Sequence, residues 1–126
     1  MDWNFKEGVP IYAQIIDQIR LMIASGAFSP GDKLPSVREW AVDAGVNPNT
    51  MQRALAQLER DGLLHAERTR GRFVTEEEST LKDLKESLGK ECIRDLFVQL
   101  GRLGMNREEI IDAVTNYEEE STHGNA

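Results

Sequence analysis

Residues 34–74 read LPSVREWAVDAGVNPNTMQRALAQLERDGLLHAERTRGRFV, and two helix starts are spelled out in them. Ser36 stands three residues before Glu39, the spacing of a capping box. In that motif the hydroxyl accepts from the N3 backbone N–H and the carboxylate reaches back to the N-cap N–H. Asn47 precedes Pro48, an N-cap followed by proline at the first helical position, where an N–H would find no partner anyway. Between the two starts, Ala44-Gly45-Val46 puts a glycine where the first helix must stop. The expectation is a short helix, a tight turn and a second helix.

The second helix carries Met51, Ala54, Leu55 and Leu58 at i, i+3, i+4, i+7 spacing, a single apolar stripe. Its other positions hold Asn49, Thr50, Gln52, Arg53 and Gln57, side chains that read base edges or grip phosphates. Asp61-Gly62 ends it. Residues 63–68 and 72–75 then flank Thr69-Arg70-Gly71, the pattern of a small hairpin with a basic tip. A helix–turn–helix followed by such a hairpin is a winged helix. The fold expected is mainly α with a small β-hairpin, in a DNA-binding domain over residues 1–75.

The chain of 126 residues has a net charge of −7, which looks wrong for a nucleic-acid binder until its distribution is read. Residues 1–75 hold nine acids and nine bases, whereas thirteen acids face six bases after Thr75. Phosphate binding depends on local positive charge rather than on the total. Six of the nine bases in the neutral part fall at or beyond Arg38, mostly on the helix surfaces and the hairpin. The single cysteine, Cys92, allows no internal disulfide. With no apolar run of membrane-spanning length and no signal-peptide pattern at Met1–Phe5, a cytoplasmic protein is expected.

Upstream, Met1 to Val9 reads as a short leader. A helix from Pro10 to Ser25 presents Tyr12, Ile15, Ile16, Ile19, Met22 and Ile23 as a core-facing stripe. Lys33-Leu34-Pro35 is expected to be extended, because residues before proline avoid the helical region. Trp40 is assigned to the core with Val37 and Ala41.

Downstream, Thr75 with Glu78 has capping-box spacing and opens a helix that carries Leu81, Leu84, Leu88, Cys92, Leu96, Leu100 and Leu103, widened by Ile93 and Phe97. Cys92 on that stripe reads as a buried, inert thiol. Asn106 and Glu109 form a further capping box for a last helix that buries Ile110, Ile111 and Val114, with Tyr117 beside them. Glu118 to Ala126 reads as a frayed tail. Two helices alone cannot cover so broad a stripe, so residues 76–126 are expected to form a homodimer through Leu84, Leu88, Ile93, Leu96, Phe97 and Leu100. The alternative is that both helices fold back onto the winged helix of their own chain.

Three stretches together resemble the winged helix of the GntR family of bacterial transcription regulators: residues 34–39, residues 45–54 and residues 58–63. Pro10-Ile11-Tyr12 with Gln14-Ile15 is similar too, so the likeness spans roughly residues 10–75. The Asn47-Pro48-Asn49-Thr50 stretch and the brief two-helix tail resemble the YtrA subfamily. The resemblance implies a dimeric repressor, often encoded beside transporter genes that it controls. It also implies DNA contacts at Arg38, at Asn49 and Thr50, and at Gln52, a place often held by arginine. Gly71 matches the wing glycine whose backbone approaches the minor groove. Pro48 sits where many relatives have arginine and cannot supply that contact.

Each residue keeps a second reading. Arg38 either meets DNA or pairs with a nearby carboxylate. Asn49 and Thr50 either contact bases or only finish the cap, as Ser36 and Asn47 do. Arg53 either touches DNA or bridges to Glu39 or Asp43, and Arg70 is either a wing contact or part of a solvated hairpin. A winged helix used as a protein-docking adaptor is the rival function. An enzyme is not expected, since His65 and His123 are the only histidines and no nucleophile–base pair, phosphate loop or metal-ligand cluster can be assembled. No cofactor is expected. A small-molecule effector between the dimer helices, lined by Tyr117, Phe97 and Met105, competes with plain core packing of the same residues.

Overall fold

The computed structural model describes residues 1–118. The chain runs α1 (Ile11–Ala24), α2 (Val37–Ala44), α3 (Pro48–Arg60), β1 (Leu64–Glu67), β2 (Gly71–Val74), α4 (Glu78–Gly101) and α5 (Arg107–Thr115). It divides into two compact units, Met1–Leu88 and Gly89–Ala126, with the boundary inside α4. The mainly α architecture with one hairpin is as expected.

In the first unit the local signals act as read. The Ser36 hydroxyl accepts from the Glu39 N–H at 3.1 Å, and the Glu39 carboxylate accepts from the Ser36 N–H at 3.1 Å. Gly45 closes α2 in the left-handed region, at φ 71°, which an L side chain rarely adopts. The Asn47 side chain accepts from the Asn49 N–H at 2.7 Å, and Pro48 fills the first turn of α3.

Three helices and the hairpin then bury one core. It includes Ile15, Ile19 and Ile23 of α1, Trp40 and Ala41 of α2, Met51, Ala54, Leu55 and Leu58 of α3, and Leu64 and Val74 of the hairpin, with Leu34, Leu63 and, from α4, Leu84 joining them. Each fully buried aliphatic side chain stabilises the fold by about 1.5–3 kcal/mol relative to exposure. The strands pair antiparallel from Leu64↔Val74 to Glu67↔Gly71. The Lys33-Leu34 segment is extended, as its position before Pro35 requires, and joins the sheet edge through a bridge of Lys33 with Phe73.

Other expectations are extended or corrected. The short leader, residues 1–9, packs on the core: Trp3 stacks on Phe5 at 5.8 Å and meets Trp40 edge-on at 5.5 Å. The buried Gln14 amide accepts from the Lys6 N–H and donates to the carbonyls of Lys6 and Val9, which ties the segment to α1. Thr75 forms no capping box with Glu78. Its hydroxyl accepts from the Glu77 N–H at 3.1 Å, and α4 starts only at Glu78. The sheet register leaves Thr75 buried at the end of β2, so the chain has to turn before it can begin a helix. Gly71 is the first residue of β2 and not part of the loop, which is Arg68-Thr69-Arg70.

In the second unit, Asn106 and Glu109 form their reciprocal cap, with both bonds at 2.9 Å. Of the α5 residues expected inside, only Ile110 is buried; Ile111 and Val114 are 42% and 55% exposed, and Tyr117 just beyond the helix is 71% exposed. Cys92 is exposed as well, and among the described residues nothing covers it. Residues 119–126, the end of the expected frayed tail, lie outside the described residues.

Candidate nucleic-acid interface

The core-facing stripe of α3 dictates what its opposite face presents. With Met51, Ala54, Leu55 and Leu58 turned inward, Asn49, Gln52 and Arg53 are exposed near the N-terminal end and Thr50 is half-buried beside them. No acidic residue precedes Glu59 in this helix. Arg53 does not bridge to Glu39 or Asp43. Its guanidinium lies over the Tyr12 ring of α1, 4.6 Å from the centroid, a cation–π contact, and the residue stays exposed. Gln57 is committed internally: its carbonyl oxygen accepts from the Tyr12 hydroxyl at 3.4 Å and from Arg60 at 2.7 Å, and its amide donates to Asp61 at 2.9 Å.

Arg38 sits in the first turn of α2 and is exposed. Among the described residues no carboxylate pairs with it, so the ion-pair alternative is not realised. Beside it, the hydrogen bonds from Ser36, first the backbone one and then the hydroxyl, hold the Glu39 carboxyl below its ordinary value, with a smaller contribution from the Lys33 charge.

The wing is held by charge and by rings. Arg70 pairs with Glu67 and lies over the Phe73 ring at 5.1 Å, while His65, opposite Phe73 in the strand pair, stacks on the same ring at 5.7 Å and stands 3.2 Å from the Glu67 carboxylate. Arg72 donates to Glu59 of α3 at 2.5 Å and so ties the wing to the last turn of the recognition helix. Arg68 at the loop is exposed. The arrangement brings Arg38, Asn49, Thr50, Gln52, Arg53, Arg70 and Gly71 into one unit, with the caps Ser36 and Asn47 fixing where the two helices begin. Sequence reasoning missed the Glu59–Arg72, Glu67–Arg70 and Tyr12–Arg53 pairings. Glu59–Arg72 and Tyr12–Arg53 join different elements, so no local signal announces them; Glu67–Arg70, three residues apart across the wing turn, was within reach of a local reading.

The residues expected to dimerise fall on both sides of the unit boundary. Leu84 is 6% exposed and belongs to the core of the first unit, and the half-buried Leu88 packs against the same core. Packing within the winged-helix unit therefore accounts for both. In the second unit Ile93 and Leu96 are exposed, and Phe97 and Leu100 are half-buried. Two open apolar grooves lie between α4 and α5, one lined by Leu96, Leu100, Ala113, Val114 and Tyr117, the other by Ile93, Phe97 and Ile110 among others. Met105 lines neither.

A helix–turn–helix with a polar recognition face, an unpaired arginine in the preceding helix and a basic wing define a winged-helix DNA-binding regulator. The chain belongs to the GntR family: the family model described as "Bacterial regulatory proteins, gntR family" matches residues 11–74. The HTH-type transcriptional repressor YtrA of Bacillus subtilis (strain 168) is 38% identical over 106 residues, covering 83% of this chain and 82% of that protein. A solved structure of a GntR family transcriptional regulator from Listeria monocytogenes is 37% identical with a TM-score of 0.80, and the match covers 90% of this chain and 100% of that one. A structure of AraR(DBD) in complex with operator ORX1 is 29% identical with a TM-score of 0.55, covering 60% of this chain and 96% of that one. The protein is thus a DNA-binding transcription regulator and not an enzyme. Among the described residues no helix is long and apolar enough to cross a membrane.

Proposed function

We propose that the protein is a homodimeric repressor that binds a palindromic operator and blocks transcription sterically, working in the cytoplasm beside the DNA. The observation that carries this reading is the exposed N-terminal face of α3, where Asn49, Gln52 and Arg53 stand with no acid nearby on the helix. In this mechanism α3 of each protomer enters a major groove with its first turn nearest the bases. Asn49, Thr50 and Gln52 supply hydrogen bonds to base edges, Arg38 and Arg53 supply charge, and Arg70 with the Gly71 backbone meets the minor groove at the wing. Arg70 exchanges Glu67 for DNA when it does so. The name of the YtrA relative supports repression as the outcome.

The dimer is assigned to the second unit. Leu96, Leu100, Ile111, Val114 and Tyr117 form an apolar surface that the described residues of one chain leave open, and a two-fold partner presents the same surface in return. A second copy fills the same grooves that an effector would use, and we assign them to the dimer. Two-fold symmetry then sets the half-site spacing near one helical turn, on the order of 10 base pairs.

The test uses duplexes selected by the protein from a random pool, with a scrambled duplex as control. In a mobility-shift titration, Arg38→Ala costs about 1–3 kcal/mol on the selected duplex if the guanidinium holds a base, and loses equally on both duplexes if it holds phosphate. Unchanged affinity on both removes Arg38 from the interface. Failure to enrich any duplex sinks the operator reading as a whole.

A further inference from the structure

Lys33 belongs to neither the helix–turn–helix nor the wing strands, yet it is placed where the two come together. Its backbone forms the antiparallel bridge with Phe73, and the neighbouring Leu34 N–H donates to the Arg72 carbonyl at 2.9 Å, so β2 fixes its position. Its stem crosses the start of the wing: a Cβ on Gly71 would fall 3.2 Å from the Lys33 Cε, closer than most such contacts allow. Its charge is felt at the first turn of α2, where it is one of the influences that lower the Glu39 carboxyl. The side chain is exposed, and among the described residues no salt bridge holds its ammonium.

We propose that Lys33 is a phosphate-binding residue that grips the sugar–phosphate backbone between the groove occupied by α3 and the groove touched by the wing. Two grooves of a duplex are separated by a phosphate strand. A cation set between the start of α2 on one side and Gly71 on the other therefore faces phosphate and not bases. Lysine suits this place, since its ammonium acts as a point charge on a flexible stem and needs no planar partner. Gly71 acquires a second role: its missing side chain leaves the passage for the Lys33 stem. At φ 115° it also holds a backbone conformation that favours glycine.

The inference rests on the duplex-binding reading above, and the experiment separates the two. Lys33→Met keeps an unbranched stem against Gly71 and removes the charge; Lys33→Arg keeps the charge. Binding of the full chain is measured on a random-sequence duplex and on a duplex selected by the wild type, across a potassium chloride series. Lys33→Met is expected to weaken binding by the same factor on both duplexes and to flatten the slope of log affinity against log salt by about one per bound protomer. Lys33→Arg is expected to retain the wild-type slope, and the thermal midpoint of both variants to stay put. A purely structural lysine would leave the slope of Lys33→Met at the wild-type value, and that result overturns the proposal. A loss confined to the selected duplex places Lys33 on a base and overturns it too. Wild-type protein that binds neither duplex at low salt overturns the duplex-binding reading itself, before any variant is made.

Discussion

Glu39 shows how one side chain links sequence, local structure and solution behaviour. Its carboxylate accepts the Ser36 N–H that would otherwise be left open at the start of α2, and this hydrogen bond favours the charged form. Its pKa in the folded chain therefore lies below the ordinary 4.5, with the Ser36 backbone bond as the first cause. The sign follows from linkage. A carboxyl depressed on folding contributes stability that is fully present above the unfolded value and is lost as pH falls through the folded one. Glu39→Gln keeps a capping amide but cannot ionise. The denaturant midpoints of wild type and Glu39→Gln are thus expected to differ near neutral pH and to converge as the pH is lowered below about 4. A gap of constant size across that range would show that the charge contributes nothing to the cap.

At the scale of the element, the wing is the part built with most tension. The Arg70 N–H donates to the Glu67 carbonyl at 3.0 Å, and Thr69 between them has φ 67°. Positive φ at that place is the requirement of a type II turn, which favours glycine or asparagine. A β-branched residue there is strained. Thr69→Asn is expected to stabilise the first unit by about 1 kcal/mol, the low end of such strain, and to raise its melting temperature by a few degrees. A calorimetric scan checks this; a lower melting temperature would mean that the threonine makes a contact worth more than the strain. The wing's other constraint is the Arg72–Glu59 pair, which couples the hairpin to the last turn of α3. Tyr12 does the same for Arg53, using a ring from α1 to fix a cation on α3.

For the whole molecule, charge and apolar surface are sorted along the chain. The excess of acid lies after Thr75, away in sequence from the residues proposed to meet the duplex, which it would otherwise repel. The open apolar surface lies in the second unit, where Val114 is 55% exposed and lines both grooves. Exposure in the single chain means that Val114→Glu should leave each protomer folded. Covered by a second copy, it would bury an unpaired charge on each side, at a cost of about 3–5 kcal/mol apiece. Sedimentation is expected to show a wild-type dimer and a Val114→Glu monomer with unchanged helicity, and operator affinity should fall with the loss of the second half-site. A variant that sediments as the wild type removes this surface from the dimer.

Most of the fold could be read from short-range pattern alone. Caps at Ser36, Asn47 and Asn106 and the stripe of α3 act within a turn or two of helix, so a few neighbouring residues suffice to specify them. The same holds for the exposed polar tip of α3, because whatever is not stripe must face out. Thr75 misled because its spacing to Glu78 fits a cap while the sheet register keeps it in the strand's continuation. What tertiary structure alone decided were the long-range pairings: Trp3 on Trp40, Tyr12 under Arg53, Glu59 with Arg72, Lys33 against Gly71, and Leu84 in the first core instead of the second unit. Periodicity tells which side of an element is apolar. Which other element covers that side depends on how the chain closes in space, and no local spacing encodes it.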